Sequence, residues 1–171
     1  GLRFDGSNDT LTGSLSEGDD YLVTIVFVPK GTVARTVYGQ FADDSSIVRT
    51  IGLNNDSDII AVSKPFSSQG DVSVSSVSAG LHTLVFNVNT LGATLDGVSM
   101  ASSGSAMRYS DGTNQFVWGD RTSGGLPAAS DVLSITAGST VMNDANNWAG
   151  KTISGATRIQ SVDGGINWTV V

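Results

Sequence analysis

The sequence predicts an all-β domain built as a two-sheet antiparallel sandwich, and three observations carry that reading. The first is composition. Of 16 acidic residues only Glu17 is glutamate, and lysine occurs only at Lys30, Lys64 and Lys151. Residues that usually clothe helix surfaces are therefore scarce, while Gly, Ser, Thr and Val, which favour turns and strands, abound. The second is rhythm: short β-branched and aromatic runs recur between clusters of Gly, Asn, Asp and Ser, as in sandwiches and barrels. The third is local. Asp96-Gly97 is a two-residue turn suited to type I′ geometry, in which both central residues take positive φ. Pairing across it sets Leu95 opposite Val98 and Ala93 opposite Met100 on an apolar face, with Thr94 and Ser99 on a polar one.

The elements follow in order. Leu2 and Phe4 alternate ahead of the turn Asp5-Gly6-Ser7-Asn8. Tyr21 to Val28 is apolar on both faces and reads as a central strand covered on each side, ended by Pro29-Lys30-Gly31. Val33 to Phe41 and Ile47 to Gly52 form the next pair, joined through Ala42-Asp43-Asp44-Ser45. Asn54-Asn55-Asp56-Ser57-Asp58 is a turn leading into Ile59 to Ser63, and Val72 and Val74 alternate with serines, which is one-sided burial. Leu81 to Asn89 precedes the Asp96-Gly97 hairpin. Gln115 to Trp118, Asp131 to Thr136 with Leu133 and Ile135 facing one way, and Ile166 to Val171 follow it. Only Val141 to Trp148 admits a helical turn. With no fixed-period repeat and no linker, residues 1–171 read as a single domain.

Charge and cysteine content exclude several classes. The formal net charge is −7, and the nine basic residues are scattered, so a nucleic-acid backbone is not the expected partner. The absence of cysteine rules out a disulfide framework and any Cys-based zinc or redox site. No apolar run approaches the roughly 20 residues of a membrane span, so no membrane insertion is expected. Gly1 is followed by no charged-then-apolar leader.

The order of short motifs resembles a known family. Leu2-Arg-Phe-Asp-Gly-Ser-Asn-Asp-Thr-Leu11 is similar to the opening strand and turn of laminin G-like modules. Gly80-Leu-His-Thr-Leu-Val-Phe86 and Ala93-Thr-Leu-Asp-Gly-Val98 are similar to a central strand and hairpin of those modules. Phe116-Val-Trp-Gly-Asp120 and Ala129-Ser-Asp-Val-Leu-Ser-Ile-Thr136 resemble two later strands, so the likeness covers residues 1–136 in order. Leu81 stands where the family has Trp, Thr83 where it has a second His, and residues after Trp148 have no counterpart. The resemblance implies a concanavalin A-like fold, a two-sheet antiparallel jelly-roll sandwich. It implies no single function, because the fold carries lectins, enzymes and structural modules.

Candidate chemistry is sparse. Glycoside hydrolysis generally needs two placed carboxyl groups, yet Glu17 lies in a loop and no strand carries two acids two or four residues apart. A Ser-His-Asp triad would have to use His82, the one histidine. His82 lies at the edge of an apolar strand, where a packed or hydrogen-bonded role is expected. Calcium is the one cofactor these residues admit, because Ca²⁺ takes six to eight oxygens and loop Asp and Asn side chains supply them. The metal candidates are Asp43, Asp44, Asn54, Asp56 and Asp58, with turn formation as their alternative role. Sugar binding combines an aromatic platform with amide, carboxylate or guanidinium hydrogen bonds. Trp148 and Asn147 have that composition, with Tyr109 and Asp120 as further candidates, whereas Trp118 and Trp168 read as core.

The expected function is a non-catalytic recognition or display module on an extracellular or virion surface, binding carbohydrate or another surface through its loops. The alternative is a structural virion component, decorating a capsid or associated with a tail and acting through subunit contacts in a homo-oligomer. A polysaccharide-active enzyme ranks last.

Overall fold

In a strand, alternate residues share a face, and strand pairing extends each face into rows across the sheet. The computed structural model describes residues 1–5, 7–15, 22–30, 36–42, 48–53, 60–63, 71–74, 80–87, 92–103, 114–119, 126–127, 129–138, 140–143, 152–161 and 168–170. Among these residues every regular element is a strand, and no helix is long and apolar enough to cross a membrane.

The strands, numbered in chain order, form two sheets of nine each among the described residues. The first sheet runs β10 (Val98–Ser99), β9 (Ala93–Leu95), β8 (His82–Asn87), β3 (Leu22–Pro29), β14 (Ser130–Ala137), β1 (Leu2–Phe4), β17 (Thr157–Ser161) and β18 (Trp168–Val170). β15 (Thr140–Asn143) also pairs with β14. The second runs β11 (Ala101–Ser103), β7 (Asp71–Val74), β6 (Ile60–Ser63), β5 (Val48–Leu53), β4 (Thr36–Ala42), β12 (Asn114–Gly119), β2 (Thr10–Leu15) and β16 (Thr152–Ser154). The short β13 (Leu126–Pro127) lies parallel to β4.

Register explains the core. In the second sheet one row runs Ile153, Leu11, Trp118, Gly39, Ile51, Val62, Val72, Ser102, and Leu11 and Trp118 on it are fully buried. The adjacent row on the opposite face is Thr152, Thr12, Val117, Gln40, Thr50, Ser63, Asp71, Ser103. In the first sheet Leu95, Leu84, Ile25 and Ile135 share a buried row. The two sheets meet at Trp118. Its Nε1–H donates to Ser130 Oγ at 2.9 Å, and its ring meets Phe27 edge-on at 5.8 Å and 75°. A buried indole thus joins the layers by packing and by a satisfied polar handle.

Chain crossings join the two sheets along both sides. β10 runs into β11 past the buried Met100, so one segment ends both sheets along one side. On the other side β16 passes into β17 through Gly155 and Ala156, and β18 extends the first sheet one strand further.

Several expectations change. Val98 pairs with Leu95 as expected, yet it is 68% exposed because it stands at the sheet edge. Ala93, Leu95 and Met100 carry the burial instead. β14 holds an irregularity between Val132 and Ser134, and Val132 and Ile135 are the fully buried pair while Leu133 is half-buried. A β-bulge inserts one residue and shifts the alternation that simple period-2 reading assumes. β3 is central, paired on both sides, but Val26 and Val28 on its second face are only half-buried. Leu81 lies outside β8 and is exposed. Val141 to Asn143, where a helical turn was admissible, belong to β15, and β16 and β17 lie beyond Trp148 where the resemblance offered no counterpart.

Candidate functional site

Three polar constellations stand toward one end of the sandwich, where β1 stops at Phe4, β14 starts at Ser130 and β3 stops at Pro29 in one register row.

The first is the hairpin turn. Asp96 and Gly97 have φ of 53° and 80°, the two positive values that type I′ geometry requires. The Asp96 N–H donates to the Thr83 carbonyl, and its Oδ1 accepts the Thr83 N–H, each at 2.8 Å. Asp96 Oδ2 lies 2.7 Å from Nδ1 of the buried His82. Partial burial pushes the Asp96 carboxyl up, but the Thr83 N–H and the His82 hydrogen bond and charge outweigh it and hold it below its ordinary value. The one histidine is a packed, hydrogen-bonded strut that ties the turn to β8.

The second centres on Asp131, directly opposite Arg3 across the β1–β14 pair. Arg3 donates from Nε at 2.8 Å and from Nη2 at 2.9 Å, one bond to each carboxylate oxygen, and Lys30 Nζ lies 2.6 Å from Oδ2. Asp131 is 2% exposed, whereas the Arg3 and Lys30 side chains are 34% and 40% exposed. Burial pushes this carboxyl up. The hydrogen bonds from Arg3 and Lys30, with their positive charges, more than offset it and leave the group depressed.

The third explains the Phe4-Asp5-Gly6-Ser7-Asn8-Asp9 signature. Asp5 Oδ1 accepts the Ser7 N–H at 2.7 Å, and Asp9 Oδ2 accepts the Asp5 N–H at 2.8 Å, so each carboxylate closes part of the same turn. Asp9 is buried against Gly155, whose φ is +76° and whose added Cβ would overlap Asp9 Oδ1. Gly155→Ala is therefore expected to lose about 2–3 kcal/mol, from left-handed strain plus displacement of Asp9. Gly97→Ala is the control. It shares the positive φ but has nothing within 4 Å of the new Cβ, so only about 1–2 kcal/mol is expected. Thermal melts of both variants check the difference.

Each of these carboxylates holds its own fold together, and among the described residues no three of His, Cys, Asp or Glu gather as metal ligands. Sequence reasoning missed the Asp131 cluster, because no local pattern announces a partner 128 positions away. Trp148, Asn147, Tyr109, Asp120, Asp43, Asp44, Asn54, Asp56 and Asp58 all lie outside the described residues. Their neighbours do not mark one place. Gly119, which precedes Asp120, pairs with Thr10 next to the Asp5–Asp9 turn. Leu53 and Ile60, which flank Asn54 to Asp58, are paired at that same end. Ala42 and Val48, flanking Asp43 and Asp44, and Ser103 and Asn114, flanking Tyr109, stand at the opposite strand ends.

Comparison with solved structures places this architecture. The mouse laminin alpha1 chain, domains LG4-5, superposes with a TM-score of 0.59 and 13% identity over 92% of this chain. The fold is a laminin G-like jelly roll. The chain spans about half of that structure, 48% of its length. The marine PL7 alginate lyase AlyA1 from Zobellia galactanivorans gives a TM-score of 0.31 and 13% identity, over 83% of this chain and 65% of that one. A superposition that loose carries no argument about this jelly roll. No protein-family model matches the sequence, and no curated protein matches it.

Proposed function

We propose that this jelly roll is a non-catalytic recognition module, working on an extracellular or virion surface and binding carbohydrate or another surface group through its loops. The observation that carries the reading is the commitment of the buried ionisable groups among the described residues. His82 is tied to Asp96, Asp131 to Arg3 and Lys30, and Asp9 to the Asp5 backbone. General acid–base chemistry needs a titratable group presented to substrate, and these are spent on turns and strand pairs. Glu17 is the one glutamate, and no described strand carries two acids two or four residues apart, which speaks against the paired carboxyls that glycosidases commonly use.

Recognition then falls to the connections, which rigid sandwiches hold apart from the core. Trp148 with Asn147 supplies an aromatic platform beside an amide, the pairing that suits a sugar ring. Asp120 and Tyr109 are further contacts, each separable by its own substitution. A polysaccharide array is expected to return at least one ligand, and Trp148→Ala to weaken it about 10-fold or more, as buried aromatic anchors do. A blank across neutral and charged polysaccharides, or a ligand held equally well by Trp148→Ala with an unchanged circular-dichroism spectrum, overturns the reading.

A further inference from the structure

The two edges of the first sheet differ. At one, β10 has only two residues and runs on into β11 of the other sheet, so the chain itself closes that edge. At the other, β18 is the outermost strand among the described residues, and Val170 on it is 61% exposed. The surrounding segment, Ile166-Asn-Trp-Thr-Val-Val171, holds no charged side chain and no proline. Edges that must stay unpaired commonly carry both.

The direction of the β18 backbone groups follows from its neighbours. Ile159 spends both of its groups on Gly1: its N–H donates to the Gly1 carbonyl, and its carbonyl accepts from the Gly1 amine, each at 3.0 Å. Groups alternate sides along a strand, so Gln160 turns its pair toward β18, where it stands opposite Thr169. Thr169 therefore aims its N–H and C=O back at Gln160. Trp168 and Val170 aim theirs away from β17, at the edge that no described strand covers.

We propose that this edge pairs with the same edge of a second copy, antiparallel about a two-fold axis at Thr169. In that register Trp168 exchanges both backbone hydrogen bonds with the partner's Val170, and Val170 does the same with the partner's Trp168. Thr169 meets the partner's Thr169 on the axis as a non-hydrogen-bonded pair, the closer of the two pair types. Each copy carries a net charge of −7, so a segment free of charged side chains is where two copies meet with little repulsion. Three paired residues a side fall well short of the roughly 800 Å² per partner of a standard interface, so the dimer dissociates in the micromolar-to-millimolar range.

The chain has no cysteine, so single introduced cysteines report the register. Thr169→Cys sets two Cα atoms about 4.5 Å apart across the axis, within disulfide reach. Val170→Cys sets them about 8 Å apart, beyond it. Under mild oxidation Thr169→Cys is expected to form covalent dimer about 10-fold faster or more. Val170→Pro removes an N–H aimed at that edge and spares the β17 pairing, so sedimentation equilibrium should show dimerisation weakened at least about 10-fold. If that variant loses its β-sheet circular-dichroism signal, Thr169→Lys replaces it, placing like charges opposite one another on the axis. A wild-type protein that stays monomeric to about 1 mM, equal crosslinking of the two cysteine variants, or dimerisation indifferent to Val170→Pro or Thr169→Lys overturns the proposal.

Discussion

Replacing Trp118 with alanine is expected to lower the unfolding free energy by about 3–5 kcal/mol, the range for truncating a buried aromatic. The argument rests on position. Trp118 belongs to the second sheet, while Phe27 and Ser130, which it meets, belong to the first. Truncation opens a cavity between the layers, where neither sheet can close the gap by moving alone. It also takes the donor from the fully buried Ser130 hydroxyl, which adds about 1 kcal/mol. Trp118→Phe keeps an aromatic ring against Phe27 and loses the hydrogen bond, so a smaller loss of about 1.5–3 kcal/mol is expected. Urea titration checks the order, Ala more damaging than Phe, with the slope showing whether the denatured state has changed. Equal losses for the two variants would mean that the hydrogen bond, rather than the ring, joins the sheets.

The sandwich was legible in the sequence wherever one physical signal dominated. The Asp96-Gly97 turn fixes its own register, because a shift of one residue would turn Leu95 and Ala93 to the other face. Trp118 was legible as core because apolar residues alternate around it. The β14 irregularity was not. Val132 and Leu133 are adjacent and both apolar, so either phase of the alternation looks sound until Phe27 and Val26 choose between them. β17 was also hidden, since Thr-Arg-Ile-Gln-Ser offers one apolar residue and owes its strand form to pairing with β1 and β18. Polar constellations followed the same rule. Asp96 and His82 could be named as a turn residue and a packed histidine, but not as a pair. Asp131 read as an ordinary strand acid because Arg3 and Lys30 reach it only after β1, β3 and β14 align. The proposed ligand residues fall in stretches of sequence without periodicity, where composition suggests a chemistry and nothing local fixes a position.

Asp131→Ala is expected to cost about 2–3 kcal/mol at neutral pH. Breaking a buried ion pair by removing one partner typically costs about 3–5 kcal/mol. Here the carboxylate is buried, but the two cations left behind are a third or more exposed and can turn to water, which lowers the figure. Lys30→Met, removing the more exposed cation, should cost under about 1 kcal/mol, and Arg3→Met more, because the bidentate contact goes with it. The pH dependence has a fixed sign. Asp131 is depressed in the folded state from an ordinary value of 3.8. Its contribution is therefore complete above that value and disappears as pH falls through the depressed folded one. Protonation leaves Arg3 and Lys30 facing each other without the charge that held them. The gap in stability between wild type and Asp131→Asn should then narrow steadily as the solution is acidified below 3.8. The remaining acid slope in the variant has a source in Asp96, which is depressed in the same direction. Urea melts of the two proteins across an acid series read both effects. A gap that holds constant into strong acid would mean that Asp131 contributes through its shape in β14 rather than through its charge.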